Sequence, residues 1–196
     1  MHKNFLGLGL LILMSAWASV AQAATYDIDL DHSSVQFKIH HLLSNVRGNF
    51  DQVVGTIDYE PGKFETWKVE ATIQAASINT KVPERDKHLK SSDFFDVEKY
   101  PVITFKSTKV TAVDAEHAQV EGLFSMHGIE KTVTLDVEIH GVAKDPWGNV
   151  RSAFTATTKI NRKDSGIVYN QTLETGNLLI GEDVDISLEI EGLLKE

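Results

Sequence analysis

Period-two alternation of apolar and polar residues is the feature that most restricts what this chain can fold into. Val35, Phe37, Ile39 and His41 share one parity, and Ser34, Gln36, Lys38 and His40 share the other. Successive side chains of a strand point to opposite faces, so such a run is a strand buried on one side. The pattern returns at Val53, Gly55, Ile57 and Tyr59, and at Trp67, Val69, Ala71, Ile73 and Ala75. It appears again at Val133, Leu135, Val137 and Ile139, and at Val184, Ile186, Leu188 and Ile190. Residues 102–105, 109–113, 119–126 and 150–160 read as further strands, with Gly122 marking a bulge or tight bend. Between these runs lie reversal signals: 45–49 (Asn-Val-Arg-Gly-Asn), Pro61-Gly62, His127-Gly128 and 145–149 (Asp-Pro-Trp-Gly-Asn). Residues 161–181 show no regular pattern.

Short reversals join antiparallel neighbours, and strands with one polar and one apolar face cover a single core. The expected fold class is all-β. A sheet of about eight strands either splits into a sandwich or closes, and a barrel of that size holds one small ligand.

The alternation breaks once, between Ala76 and Ser107. Pro83 opens a charged segment ending near Lys90, with Glu84 early and Lys87, His88 and Lys90 late, the order a helix dipole favours. A short helix is expected there, then a turn from Ser91 or Ser92, then extended chain after Tyr100-Pro101. If the strands close into a barrel, this insertion near residues 83–95 plugs one end.

The first residues read as an address. Lys3 precedes an apolar run over 5–14, and Ala21-Gln22-Ala23 is a small-x-small cleavage site, so residues 1–23 are expected to be a signal peptide. That run is shorter than the roughly 20 residues of a membrane span, and none of that length follows, so the remainder is not expected to span a membrane. The sequence contains no Cys, which removes a lipoprotein anchor as well as disulfide and thiolate chemistry. Export to a bacterial periplasm is expected, with residues 24–196 as one domain. Loss of Lys3 from 19 basic residues leaves 18 against 28 acidic ones, a net charge of −10. Such a charge disfavours a nucleic-acid partner, whose binding depends on neutralising phosphates.

Catalytic signatures are scarce. The sequence has no nucleophile elbow, phosphate loop, zinc-protease helix motif or dinucleotide fingerprint, and no enzymatic activity is expected. His40 and His41 are adjacent in a strand and face opposite ways, so no metal site is assigned. His41 sits on the apolar parity, either hydrogen-bonded within the core or placed to meet a ligand's polar head. Arg85, Asp86 and His88 lie together on the expected helix, where Asp86 and His88 at i and i+2 do not face each other. Asp86 is spaced for an ion pair with Lys90, and Arg85 shares a face with Leu89. Arg85 and Asp86 are thus expected to fasten the helix to a barrel rim, with His88 as a further lid or rim residue and Phe94 and Phe95 as lid or core aromatics.

Several stretches together resemble the YceI-like family of bacterial secreted proteins. They begin with 31–37 (Asp-His-Ser-Ser-Val-Gln-Phe), His41-Leu42 and 46–50 (Val-Arg-Gly-Asn-Phe). The most specific are 76–80 (Ala-Ser-Ile-Asn-Thr), 85–91 (Arg-Asp-Lys-His-Leu-Lys-Ser), 93–96 (Asp-Phe-Phe-Asp) and 100–108. Residues 122–131, 154–167 and 180–191 agree, so the resemblance spans nearly all of the chain after the leader. Departures are Asn79 where Asp is common, Phe124-Ser125-Met126 for Leu-Thr-Ile, and Ser165 for Phe; the last two alter cavity or core bulk.

The resemblance implies a single lipocalin-like antiparallel barrel with a long apolar cavity, binding of polyisoprenoid or similar amphiphilic lipids such as quinones, and possible homodimerisation. No cofactor is expected beyond such a bound lipid. The cavity wall is expected to include Phe37, Ile39, Ile73, Phe105, Leu135, Val137, Phe154, Ile186 and Leu188, with His41 as a polar member. The leading expectation is a periplasmic lipid carrier. Its rivals are an enzyme acting on a lipid head group through His41, Asp86 or His88, and a stress-related interaction module whose barrel is filled by side chains.

Overall fold

The structure, a computed structural model, describes residues 23–173, 176 and 178–195. The expected leader lies outside the described residues except for Ala23. The strands are β1 (Ala24–Ile28), β2 (Ser34–His41), β3 (Ser44–Phe50), β4 (Val53–Tyr59), β5 (Lys68–Gln74) and β6 (Ile78–Asn79), followed by helix α1 (Pro83–Lys90). The chain then forms β7 (Val102–Ala112), β8 (His117–Met126), β9 (Ile129–Lys144), β10 (Val150–Asn161) and β11 (Ile180–Leu194).

These strands close into an eight-staved antiparallel barrel. Long β11 explains how eleven strands make eight staves: its first part pairs with β2 and its last part with β1. β1 and β2 are therefore one stave broken by a 3-10 turn, Leu30–His32. The next stave is broken in step, since β3 pairs with β2 and β4 with β1. β5 and β6 form the third by pairing with β4 and β3. From β5 the sheet runs through β7, β8, β9 and β10 to β11, and the β1–β11 pairing closes the ring.

Three sequence expectations need correction. Residues 45–49 are the strand β3, paired with β2 along its whole length, and not a turn. Asn and Gly usually mark reversals, but the reversal comes earlier, at Leu42 with φ 55°, and Gly48 serves the cavity wall described below. The runs at 102–105 and 109–113 are one strand, β7, with a register shift between Ser107 and Lys109. Gly122 faces that irregularity as the partner of Ser107. β1 and β6 add to the expected strands, since five and two residues are too few to display a period in the sequence.

Helix α1 occupies the expected span. It carries Glu84 and Asp86 in its first turn and Lys87, His88 and Lys90 in its last. Ser91 ends it, donating from Oγ to His88 O at 2.8 Å. The irregular 161–181 region contains a 3-10 turn, Arg162–Ser165, ended by Gly166 at φ 75°. Among the described residues no helix is long and apolar enough to cross a membrane.

Apolar packing is concentrated at the two barrel ends. At one, the Tyr59 ring lies edge-on to Trp67 at 4.6 Å and to Phe154 at 5.0 Å, forming a floor. The Trp67 indole N–H donates to Glu60 O at 3.1 Å, which satisfies its one donor. The other end is the lid, where Phe94, Ile103, Met126 and Ile167 pack together beside α1.

Candidate functional site

The parity seen in the sequence becomes a cavity wall. Along β10, Phe154, Ala156, Thr158 and Ile160 border the lumen in steps of two, and Arg162, the first residue of the 3-10 turn that follows, borders it next. β11 contributes Val184, Ile186, Leu188 and Ile190 in the same way, and β9 contributes Val133, Leu135 and Val137. Together the staves surround a cavity of about 490 Å³, within the range of roughly 300–1,000 Å³ usual for small-ligand sites.

All ten residues expected in the wall border this cavity: Phe37, Ile39, His41, Ile73, Phe105, Leu135, Val137, Phe154, Ile186 and Leu188. Phe124 and Met126, two of the family departures, border it as well, whereas Ser165 is buried outside the lining.

The lid is fastened through Thr80, a buried residue just after β6. Its N–H and Oγ1 both donate to Asp86 Oδ1, at 2.9 and 2.5 Å. Arg85 donates in return, from Nε to Thr80 Oγ1 at 2.7 Å and from Nη2 to Thr80 O at 2.8 Å. Arg85 and Asp86 thus tie α1 to the rim as expected, but Asp86 turns to Thr80 instead of Lys90, and it does not border the cavity. Arg85, His88, Leu89, Phe94 and Phe95 do. His88 pairs through Nε2 with Asp93 Oδ2 at 2.9 Å. Its ring stands 5.0 Å from both Phe94 and Tyr169, which are themselves 5.0 Å apart. Of the three residues His41, Asp86 and His88, the cavity is bordered by the two histidines and not by Asp86, so the three do not converge on it.

Two residues of the site carried no assigned role in the sequence. Thr80 gave no signal beyond its place in a family-like stretch. Arg162 had one, since the 154–160 parity extends directly to it. It is 4% exposed, and it donates from Nε to Gly181 O and from Nη1 to Ile167 O and Tyr169 O, each at 2.8 Å. Burial lowers its pKa by desolvating the charge, an effect partly opposed by the field of Glu182.

Among the described residues one group could offer three metal-ligating atoms. Asp29, His32 and Glu191 place these within 4.8 Å of one another, outside the cavity lining. Arg151 already occupies that position, with Nη1 at 2.5 Å from Asp29 Oδ2 and 2.6 Å from Glu191 Oε1. A fixed guanidinium supplies the positive charge there.

Comparison with known proteins places the barrel. The family model of the YceI-like domain matches residues 26–192. A UPF0312 protein of Vibrio cholerae is 35% identical over 198 residues, spanning the whole of both chains. The crystal structure of a Campylobacter jejuni YceI protein superposes with a TM-score of 0.68 at 35% identity, covering 80% of this chain and 90% of that one. A polyisoprenoid-binding domain from Saccharophagus degradans, implicated in plant cell wall breakdown, has the same fold. Its TM-score is 0.64 at 15% identity, with 89% of this chain and 100% of that one covered.

Proposed function

Because the chain belongs to the YceI-like family, matching its model over residues 26–192, we propose that it binds an amphiphilic isoprenoid lipid or quinone in the barrel cavity and carries it through the periplasm. The observation that carries this reading is the lining: a cavity of about 490 Å³ walled mainly by aliphatic and aromatic side chains, with a minority of polar ones such as Gln36, Thr158 and Gln171, and bordered by no Asp or Glu among the described residues. A prenyl chain has no hydrogen-bonding groups, so a dry apolar lumen suits it without catalytic apparatus. Each buried methylene contributes about 0.8 kcal/mol, and association costs about 4–15 kcal/mol. Roughly five to twenty buried carbons are therefore needed before binding is favourable, which selects a long chain over a small apolar molecule. The polyisoprenoid-binding name of the Saccharophagus degradans domain agrees in kind, and the expected leader supplies the periplasmic location.

Binding is favoured over turnover on a lipid head group because Asp86 lies off the cavity lining, so that His41, Asp86 and His88 do not converge there. A filled-barrel interaction module loses its premise, since the lumen is not packed solid by side chains.

The decisive experiment is mass spectrometry of an organic extract of the protein purified without detergent. A stoichiometric isoprenoid or quinone is expected. An empty extract that stays empty after incubation with ubiquinone overturns the reading.

A further inference from the structure

The lid end of the cavity carries a charge pattern opposite to that of the whole chain. The chain has 28 acidic and 19 basic residues, yet the charged residues bordering the cavity are Arg85 and Arg162, and no carboxylate accompanies them among the described residues. Arg85 gives Nε and Nη2 to Thr80, and none of its nitrogens is among the buried unpartnered atoms of the described residues. Arg162 differs. Its Nε and Nη1 are satisfied by backbone carbonyls, while Nη2 is buried without a partner among the described residues. The neighbouring acid, Glu182, is taken by Lys163 Nζ at 2.5 Å.

A buried, unpaired donor on a charged group is costly and uncommon in native proteins. Three side-chain polar atoms are in that position among the described residues: Glu60 Oε2, Ser152 Oγ and Arg162 Nη2. Arg162 alone of these residues borders the cavity. It is also held to the lid, because Nη1 grips the carbonyl of Tyr169, whose ring packs on His88 and Phe94.

We propose that Arg162 is the head-group residue of this cavity: its Nη2, which has no partner among the described residues and no exposed surface, is freed by a turn of the guanidinium to donate to an oxygen acceptor on the ligand, a carbonyl, phenolate or phosphate oxygen, while the tail runs toward Trp67 and Phe154. The assignment rests on the cavity taking an amphiphile, as argued above, and adds which end lies under the lid and which head chemistry is recognised. A headless hydrocarbon leaves Nη2 unsatisfied. An ammonium head places a like charge beside a desolvated guanidinium and offers no acceptor, so the site rejects it. A neutral carbonyl and a phosphate share the needed chemistry, and the phosphate adds charge assistance.

The test compares four probes, squalene, geranylgeranylamine, geranylgeranyl phosphate and decylubiquinone, against the intact protein and its Arg162→Met and Arg162→Lys variants. For the unmodified protein, at least one acceptor-headed probe is expected to bind about tenfold or more tighter than both squalene and the amine, the lower range for a hydrogen bond to a charged group. Which of the two does so separates an anionic from a neutral head. In Arg162→Met that preference collapses toward one, and Arg162→Lys keeps part of it. Equal affinities in the unmodified protein overturn the proposal, a comparison that stands even if Arg162→Met fails to fold. A preference retained in a folded Arg162→Met removes Arg162 from the role. Failure of all four probes, squalene included, overturns lipid binding itself and not merely the head-group assignment.

Discussion

Phe37 lays its ring over the bare Cα of Gly48, its register partner on the adjacent strand. A Cβ at residue 48 would stand 2.5 Å from Phe37 Cζ and 2.8 Å from Thr80 Cγ2. Phe105 covers Gly122 in the same manner, with its Cζ 2.5 Å from where a Cβ would be. Both glycines fall on the inward parity. By leaving out a side chain they let an aromatic ring lie against the wall, so that the lumen stays open.

Gly48→Ala is therefore expected to drive the Phe37 ring off the wall. Overpacking of this kind costs about 1–3 kcal/mol. At about 2–4 °C per kcal/mol for a chain of this size, the melting temperature should fall by roughly 2–12 °C in a thermal unfolding scan. An unchanged melting temperature would mean that the ring yields freely and that Gly48 holds nothing in place.

The lid has its own point of failure at Thr80. Thr80→Val keeps the shape and the backbone bonds but deletes the hydroxyl shared by Arg85 Nε and Asp86 Oδ1. Two charged groups then lose a partner at a buried position, which costs about 1–3 kcal/mol. The loss should fall on α1 and not on the staves. Hydrogen exchange read by peptide should quicken over residues 83–95, with β9 and β10 unchanged. Uniform quickening across the barrel would show that Thr80 supports the whole fold.

Acid sensitivity is expected at the β9–β10 turn. Burial works against ionisation of Asp145, but bonds from the Asn149 side chain and N–H, from Arg151 and from the Trp147 N–H prevail and hold its carboxyl at about 2, below the ordinary 3.8. A carboxyl depressed in the folded state contributes stability above its unfolded pKa and loses it as pH falls through the folded one. The contribution is thus complete above about pH 4 and fades toward pH 2. Melting temperatures followed over that interval should decline, and Asp145→Ala should decline less steeply. Asp29, whose pKa is lowered chiefly by its bond from Arg151, leaves a residual slope in the variant. Parallel slopes for the two proteins would assign the acid sensitivity elsewhere.

The barrel was legible because its information is local. A parity of two survives reading along the chain, and it placed every expected wall residue on the lumen, from Phe37 to Leu188. Contacts between distant segments were not legible. Nothing in 45–49 announces that Gly48 lies beneath Phe37, so a strand rich in Asn and Gly resembles a turn. The Asp86–Lys90 spacing is correct for a helical pair, yet Thr80, six residues before Asp86, offers two donors in a buried setting and wins. Arg162 continues the inward parity of β10 one step past the end of the strand, at the start of the 3-10 turn. An arginine at the end of an apolar run reads as a strand terminus until the carbonyls of Ile167, Tyr169 and Gly181 are seen to bury it.

Wall and core can be separated by filling the lumen. Ala71 borders the cavity between Val69 and Ile73 on β5, so Ala71→Phe adds a ring to open space and not to a packed layer. Filling an apolar cavity commonly adds about 0.5–2 kcal/mol, or roughly 1–8 °C in melting temperature at about 2–4 °C per kcal/mol. The same ring takes the volume that a prenyl chain would occupy. The expected result is a protein at least as stable as the parent whose organic extract is empty and which no longer takes up squalene. A variant of unchanged stability that still binds squalene would place the ligand along the opposite staves, β9 to β11. A destabilised one would show that the lumen beside Ala71 is already closed by Phe105 across the β5–β7 pair, where Ala71 and Phe105 are register partners.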